Sequence, residues 1–343
     1  MIATTEPVLI TLSDVAPTKV RWLWPNRVPL GKLTMFVGDP GIGKSFVALD
    51  LAARVSTGSN EVTSCGDVIL LSAEDDPADT IRPRLDSVKA DTARIHYLKS
   101  VRTSDNGTQR ERMFRLTQDI AQIAEALNRH PQTKLVIIDP LSAYMGGVDG
   151  NKDEDVRSIL APLAELAAKY GVAIVCIKHM NKAEEKSAMY RAGGSIAYIA
   201  AVRIAWMFLK DRNNPQRNFM LPLKCNIGPT PDGVAYSIQE TDSGPRVVWE
   251  SQPIKVNLED ALRPAVPNRE TKLEKAKKWL SELLADGPLS SNDVDEAATK
   301  AGFSLATLRR ASEEINVART RAGFGQNGQW QCSLPSIDAQ LPL

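Results

Sequence analysis

Metal-binding side chains are scarce in this chain, whose 343 residues include only three histidines and four cysteines. Cys65, Cys176, Cys225 and Cys332 stand far apart with no CxxC pair, so no zinc site is legible. Scattered thiols read as small buried hydrophobes in a reducing compartment, which predicts a cytoplasmic protein rather than a disulfide framework. Net charge is equally small, +1. No bulk positive field attracts nucleic acid, and any such binding has to come from local patches. Long apolar runs are missing too. Residues 1–17 lack a basic stretch followed by an apolar one, and no segment approaches the ~20 apolar residues of a membrane span. Neither secretion nor a membrane partner is expected.

A hydrophobic share of 43% and a charged share of 24% instead predict a sizeable buried core. The length suits one large α/β domain plus a smaller module. Short apolar, β-branched runs at 33–37, 68–71, 135–138 and 172–177 alternate with helical spacing at 46–55 and 156–170. Strands alternating with helices predict a mainly parallel sheet covered on both faces. Four more runs, 201–209, 219–223, 234–238 and 246–249, are separated by turn residues and are expected to extend the sheet as hairpin strands. Pro264 and Pro267 then break the pattern, as in a linker. The resulting division is a lead segment 1–20, an α/β domain 21–255, a linker 256–271, a small module 272–335 and a loose tail 336–343. Within the module, helices are expected at 272–285, 291–301 and 304–315, followed by a pair of short strands.

The clearest chemistry lies at Gly38-Asp39-Pro40-Gly41-Ile42-Gly43-Lys44-Ser45. This matches G-x-x-x-x-G-K-S in its required setting, after an apolar strand and before a helix that opens with Phe46. Glycines let successive N–H groups face phosphates, and the helix adds the positive end of its dipole. The segment 38–46 is therefore the expected cradle for ATP, with Lys44 on the β- and γ-phosphates and Ser45 on Mg²⁺. Asp139 ends the apolar run Leu135-Val136-Ile137-Ile138 and delivers a second metal-side carboxylate to the sheet edge. Glu74 is the first of three acids leaving another strand, followed by Asp75 and Asp76. It is expected to orient the attacking water, with Asp75 or Asp76 capping the next helix. His179 leaves the strand at 172–178 on the same edge, placed to read the γ-phosphate.

With these residues in this order, the region from about Arg21 to Trp249 resembles RecA-like P-loop ATPases. Within them it is most similar to the hexameric replicative helicases of plasmids and phages and to related mobile-element ATPases. Further motifs carry the resemblance: Trp22-Leu23-Trp24-Pro25, Ser72-Ala73-Glu74-Asp75, Lys178-His179, and Leu223-Lys224-Cys225-Asn226 before Gly228-Pro229. The resemblance implies ATP bound between subunits, with a cation from the neighbour completing the site. Arg203 resembles the finger of plasmid helicases and Lys224 the lysine of a K-x-R element. Asn226 replaces the arginine of that element, which favours Arg203. The family's channel loops correspond to 142–155 and 180–195, the second bearing Lys182, Lys186 and Arg191 for a single-stranded phosphate backbone. The first is unexpectedly acidic, with Asp149, Asp153, Glu154 and Asp155.

The module 272–335 resembles a winged helix-turn-helix domain, with Gly323-Phe324-Gly325-Gln326-Asn327-Gly328-Gln329-Trp330 as its wing. Thr307, Arg309 and Arg310 on the third helix, and Arg319 and Arg321 beside the wing, are candidate DNA contacts. Together these features imply a DNA-associated hexameric ATPase working with a primase or initiator. The alternatives are an ATP-switched DNA-binding regulator and a recombination or loader ATPase.

Overall fold

A sheet buried on both faces has to pair its backbone polar groups internally and present apolar side chains in alternation to two separate cores. The computed structural model describes residues 8–59, 61–105, 108–148, 150, 152–180, 196–262, 272–322 and 329–335. The chain divides into two compact units, 1–263 and 264–343.

The first unit begins with a small hairpin, β1 (Trp22–Trp24) and β2 (Val28–Pro29). Next come β3 (Leu33–Gly38), α1 (Lys44–Thr57), β4 (Asp67–Ser72), α2 (Arg82–Ser87) and β5 (Ile95–Tyr97). A separate hairpin, β6 (Val101–Asp105) and β7 (Thr108–Arg112), leads into α3 (Leu116–Arg129). Then follow β8 (Thr133–Asp139), α4 (Asp153–Tyr170), β9 (Ala173–His179), α5 (Ile196–Ala201) and β10 (Ile204–Lys210). The unit closes with β11 (Asn218–Cys225), β12 (Val234–Gln239), β13 (Arg246–Trp249) and α6 (Leu258–Leu262).

One nine-stranded sheet has the order β13-β12-β11-β10-β3-β9-β8-β4-β5. From β10 to β5 every pairing is parallel. From β10 to β13 every pairing is antiparallel. Met35 and Val37 join Ile69, Val136 and Ile174 in the core beneath α3 and α4. Phe36 joins Val68, Ile137 and Val175 in the core beneath α1. Period-two alternation thus fills two layers from one set of strands. An α/β core with a mainly parallel sheet is the observed architecture, as expected.

Several details differ from the sequence expectation. The run at 201–209 is the first hairpin strand, antiparallel to β11, but it is an interior strand of the sheet as well. Its core residues form β10, which lies parallel to β3 and is buried on both faces. A run apolar on every residue suits a two-faced interior strand. Arg203 precedes β10 instead of lying on it. Asp153, Glu154 and Asp155 belong to the first turn of α4, not to a loop. There their carboxylates complement the helix dipole, which accounts for the acidity. Helix α6 lies inside the stretch read as a linker, and Leu258 and Ala261 pack against Phe219 and Leu221. The elements from β5 to α3 carried no readable signal beyond short mixed runs.

The second unit holds α7 (Lys272–Leu283), β14 (Leu289–Ser290), α8 (Ser291–Lys300), α9 (Leu305–Glu314), β15 (Ala318–Ala322) and β16 (Gln329–Ser333). Its three strands form an antiparallel sheet ordered β14-β16-β15. Ser290 and Ser304 cap α8 and α9 by accepting from the Asp293 and Thr307 amides. Leu280, Val294, Leu308 and Cys332 form its core. Residues 323–328 of the expected wing, and the tail from 336, lie outside the described residues.

Gly38 ends β3 where β10 passes closest. A Cβ there falls 2.6 Å from the Phe208 carbonyl oxygen and 2.9 Å from the Phe208 Cβ. Both atoms are fixed by the sheet, so Gly38→Ala is expected to destabilise the first unit by about 1–3 kcal/mol in urea unfolding. An unchanged midpoint contradicts this close approach.

Candidate nucleotide-binding site

In a parallel sheet all carboxyl ends share one edge, and register decides which residues meet there. Gly38 lies beside His179, and Ser72 beside Asp139. Two further hydrogen bonds fasten the edge: the Met180 amide donates to the Gly38 carbonyl at 3.2 Å, and the Ala73 amide to the Asp139 carbonyl at 3.0 Å. The loop, both strand-end carboxylates and the histidine are thereby brought together.

Between β3 and α1 the chain makes a tight cradle. Asp39, Pro40 and Gly41 are its exposed tip, while Ile42, Gly43 and Lys44 are its buried floor. Gly43 caps α1 at φ 97°, and a Cβ there meets Ile238 Cδ1 at 2.6 Å. Only glycine suits both the left-handed backbone and the space. Beneath the floor, the Tyr236 hydroxyl donates to the Ile42 carbonyl at 2.8 Å. Tyr236 and Ile238 on β12 therefore prop the loop, a role the sequence reading missed. The prop is 194 residues from Ile42 along the chain, and only the alternation of β12 signals which side chains face inward. Phe46 is half-buried with the Arg84 guanidinium 4.4 Å above its ring, and Arg84 pairs with Asp75 at 2.7 Å.

Lys44 is buried, and its Nζ donates to the carbonyls of Gly38 (2.8 Å) and Asp39 (2.7 Å). It also lies 3.2 Å from His179 Nδ1. An ammonium only donates, so Nδ1 accepts and the ring proton sits on Nε2, which faces Glu74 Oε2 at 3.5 Å. Burial pulls the Lys44 pKa down to about 8, against the opposing pull of Asp139, Asp39 and Glu74. Burial and the Lys44 charge also lower His179, with Glu74 acting in the other direction.

Asp139 is almost wholly buried, and burial raises its pKa to about 6 despite a hydrogen bond from Ser45. That bond joins the two expected metal-side groups. A hydroxyl and a carboxylate are hard oxygen donors that fit Mg²⁺, whose other positions water and phosphate oxygens fill. Glu74 stays largely exposed at the edge. Its neighbours have structural duties: Asp75 pairs with Arg84, and Asp76 caps the next turn through the Ala78 and Asp79 amides.

Arg203 and Lys224 do not reach this edge. Ile204 aligns with Thr34 and Phe208 with Gly38, so Arg203 lies toward the opposite, amino edge of β10. Lys224 sits across from Ala205, with its ammonium held by the Ile199 and Ala200 carbonyls at 2.8 and 2.9 Å. Arg203 is exposed and makes no ion pair among the described residues. Of the two expected channel loops, Lys182, Lys186 and Arg191 of the second lie outside the described residues, as do Asp149 and Asn151 of the first. Among the described residues, no helix is long and apolar enough to cross a membrane.

A family profile described as an AAA domain matches residues 3–185. No curated protein matches the sequence. Among solved structures, the ATPase domain of G40P aligns at 12% identity over 64% of this chain and 84% of that one, with a TM-score of 0.46.

The raised Asp139 pKa has a stability consequence with a definite sign. Between about pH 4 and 6 the folded chain keeps a proton that the unfolded chain has released, so stability falls as pH rises through that window. In metal-free solution above pH 7, Asp139→Asn is expected to be more stable than wild type by about 1–3 kcal/mol. The advantage shrinks as the pH approaches 4, and a pH-independent difference in denaturation contradicts this account.

Proposed function

Because the chain belongs to the AAA-domain family, we propose that it is an ATP-hydrolysing, DNA-associated motor, a hexameric replicative helicase of a plasmid, phage or integrated mobile element. The observation that carries this reading is the convergence of Lys44, the Ser45–Asp139 pair and the Glu74–His179 pair at one sheet edge. In the proposed mechanism a triphosphate takes over the Lys44 ammonium from the loop carbonyls, and the N–H groups of 41–45 cradle it. Ser45 and Asp139 would hold Mg²⁺, which would supply positive charge to the phosphate oxygens. Glu74 aims water at the γ-phosphorus, and His179 registers loss of that phosphate because it touches both Lys44 and Glu74.

Arg203 supplies the trans cation. Its place at the amino edge keeps it from its own phosphates and leaves it exposed for a neighbouring protomer's site. Lys224, occupied with the end of α5, braces that edge and ranks second. Single-stranded DNA passes along the loops that follow β8 and β9, with a primase or initiator as partner. In this reading the module 272–335 is a winged helix-turn-helix domain joined through 256–271, with 1–20 as lead and 336–343 as tail.

A second reading draws on that module. Arg309, Arg310 and Arg319 are exposed on it, which suits an ATP-switched DNA-binding regulator without translocation. The ATPase rate of wild type and Glu74→Gln, with and without single-stranded DNA, separates the two. The motor reading predicts a DNA-stimulated rate that falls about 100-fold or more in the variant. A wild-type rate indifferent to DNA overturns it in favour of the switch.

A further inference from the structure

Two of the three histidines meet at the edge of the sheet opposite the nucleotide. Asp67 opens β4, His96 is the middle residue of β5, and His130 follows the last turn of α3. Backbone pairing holds all three in place. Asp67 pairs with Thr133, and Ile69 with His96. The Thr133 amide and hydroxyl both donate to the His130 carbonyl, at 3.0 and 2.6 Å. The two imidazoles stack with centroids 3.7 Å apart and planes 32° from parallel. His96 Nε2 lies 3.8 Å from Asp67 Oδ2, and one donor atom from each residue falls within 4.8 Å of the others.

We propose that Asp67, His96 and His130 form a Zn²⁺ site, separate from the Mg²⁺ site across the sheet. Two imidazole nitrogens and one carboxylate oxygen are a donor set that zinc favours and that Mg²⁺ does not. Bonds of ~2.0–2.2 Å place tetrahedral donors ~3.3–3.5 Å apart, and the donor atoms of these half-buried side chains already lie within 4.8 Å of one another. The fourth position opens on a cavity of ≈ 600 Å³ that His96 and His130 line together with Lys99, Ser100, Glu125 and Arg129, where water completes the coordination. The ion has a mechanical effect. β5 holds to the sheet through three paired residues of β4 alone, and zinc ties it to the start of β4 and the end of α3.

The test is zinc titration of the metal-stripped full chain without nucleotide, by calorimetry and thermal unfolding. Wild type is expected to bind one equivalent and to unfold several degrees higher when saturated. His96→Ala and His130→Ala each weaken binding at least about tenfold and abolish the thermal shift. His130→Gln, which keeps size and polarity, gives the same loss if an alanine variant misfolds. Cobalt(II) in place of zinc is expected to give visible d–d bands without thiolate charge transfer. Absence of one-to-one binding, binding that survives His130→Gln, or a thiolate band pointing to Cys65 overturns the proposal.

Discussion

A buried ammonium needs compensation, and Lys44 finds it in two loop carbonyls and one imidazole, not in a carboxylate. Dipoles offset the burial only in part, as its lowered pKa records. The rest of the site is built around this shortfall. Asp139 lies close enough to feel the same charge but is itself pushed toward its neutral form by burial. Acid and base are thus both held near the limits of ionisation, a state that a triphosphate with its divalent ion relieves from both sides. Bound phosphates would bring negative charge to Lys44, and a divalent ion held by Asp139 would bring positive charge to it.

The sheet makes this arrangement possible. Parallel strands in fixed register put Gly38 beside His179 and Asp139 beside Ser72, so residues far apart along the chain lie side by side. The antiparallel extension has a separate task. β12 brings Tyr236 and Ile238 up beneath the loop, so the cradle rests on a buried hydroxyl and a close-packed glycine. Loop geometry therefore depends on strands that contribute nothing to the phosphate chemistry.

Much of the phosphate edge was legible in the sequence because its residues end apolar runs, and a run's end fixes the sheet edge to which its next side chain is delivered. Gly38–Ser45, Asp139, Glu74 and His179 all have that property, and the structure brings them together. What escaped was long-range or locally silent. That β10 also runs parallel to β3 escaped because direction of pairing leaves no trace in a short apolar run. The acidic residues of α4 read as a loop because dipole complementarity and solvation favour the same side chains. His96 and His130 are 34 positions apart, one on a three-residue strand and one at a helix end. No spacing rule links them, and only the fold makes them neighbours.

The most direct measurement of the central claim is the proton balance of nucleotide binding. With its pKa near 8, Lys44 in the nucleotide-free chain is mostly neutral at pH 8.5 and mostly charged at pH 7. Binding of a non-hydrolysable ATP analogue with Mg²⁺, followed by calorimetry in two buffers of different ionisation heat, reports the difference. About half a proton or more is expected to be taken up per nucleotide at pH 8.5, and little at pH 7. Equal binding heats in both buffers at pH 8.5, or the same uptake in Lys44→Met, contradict the account.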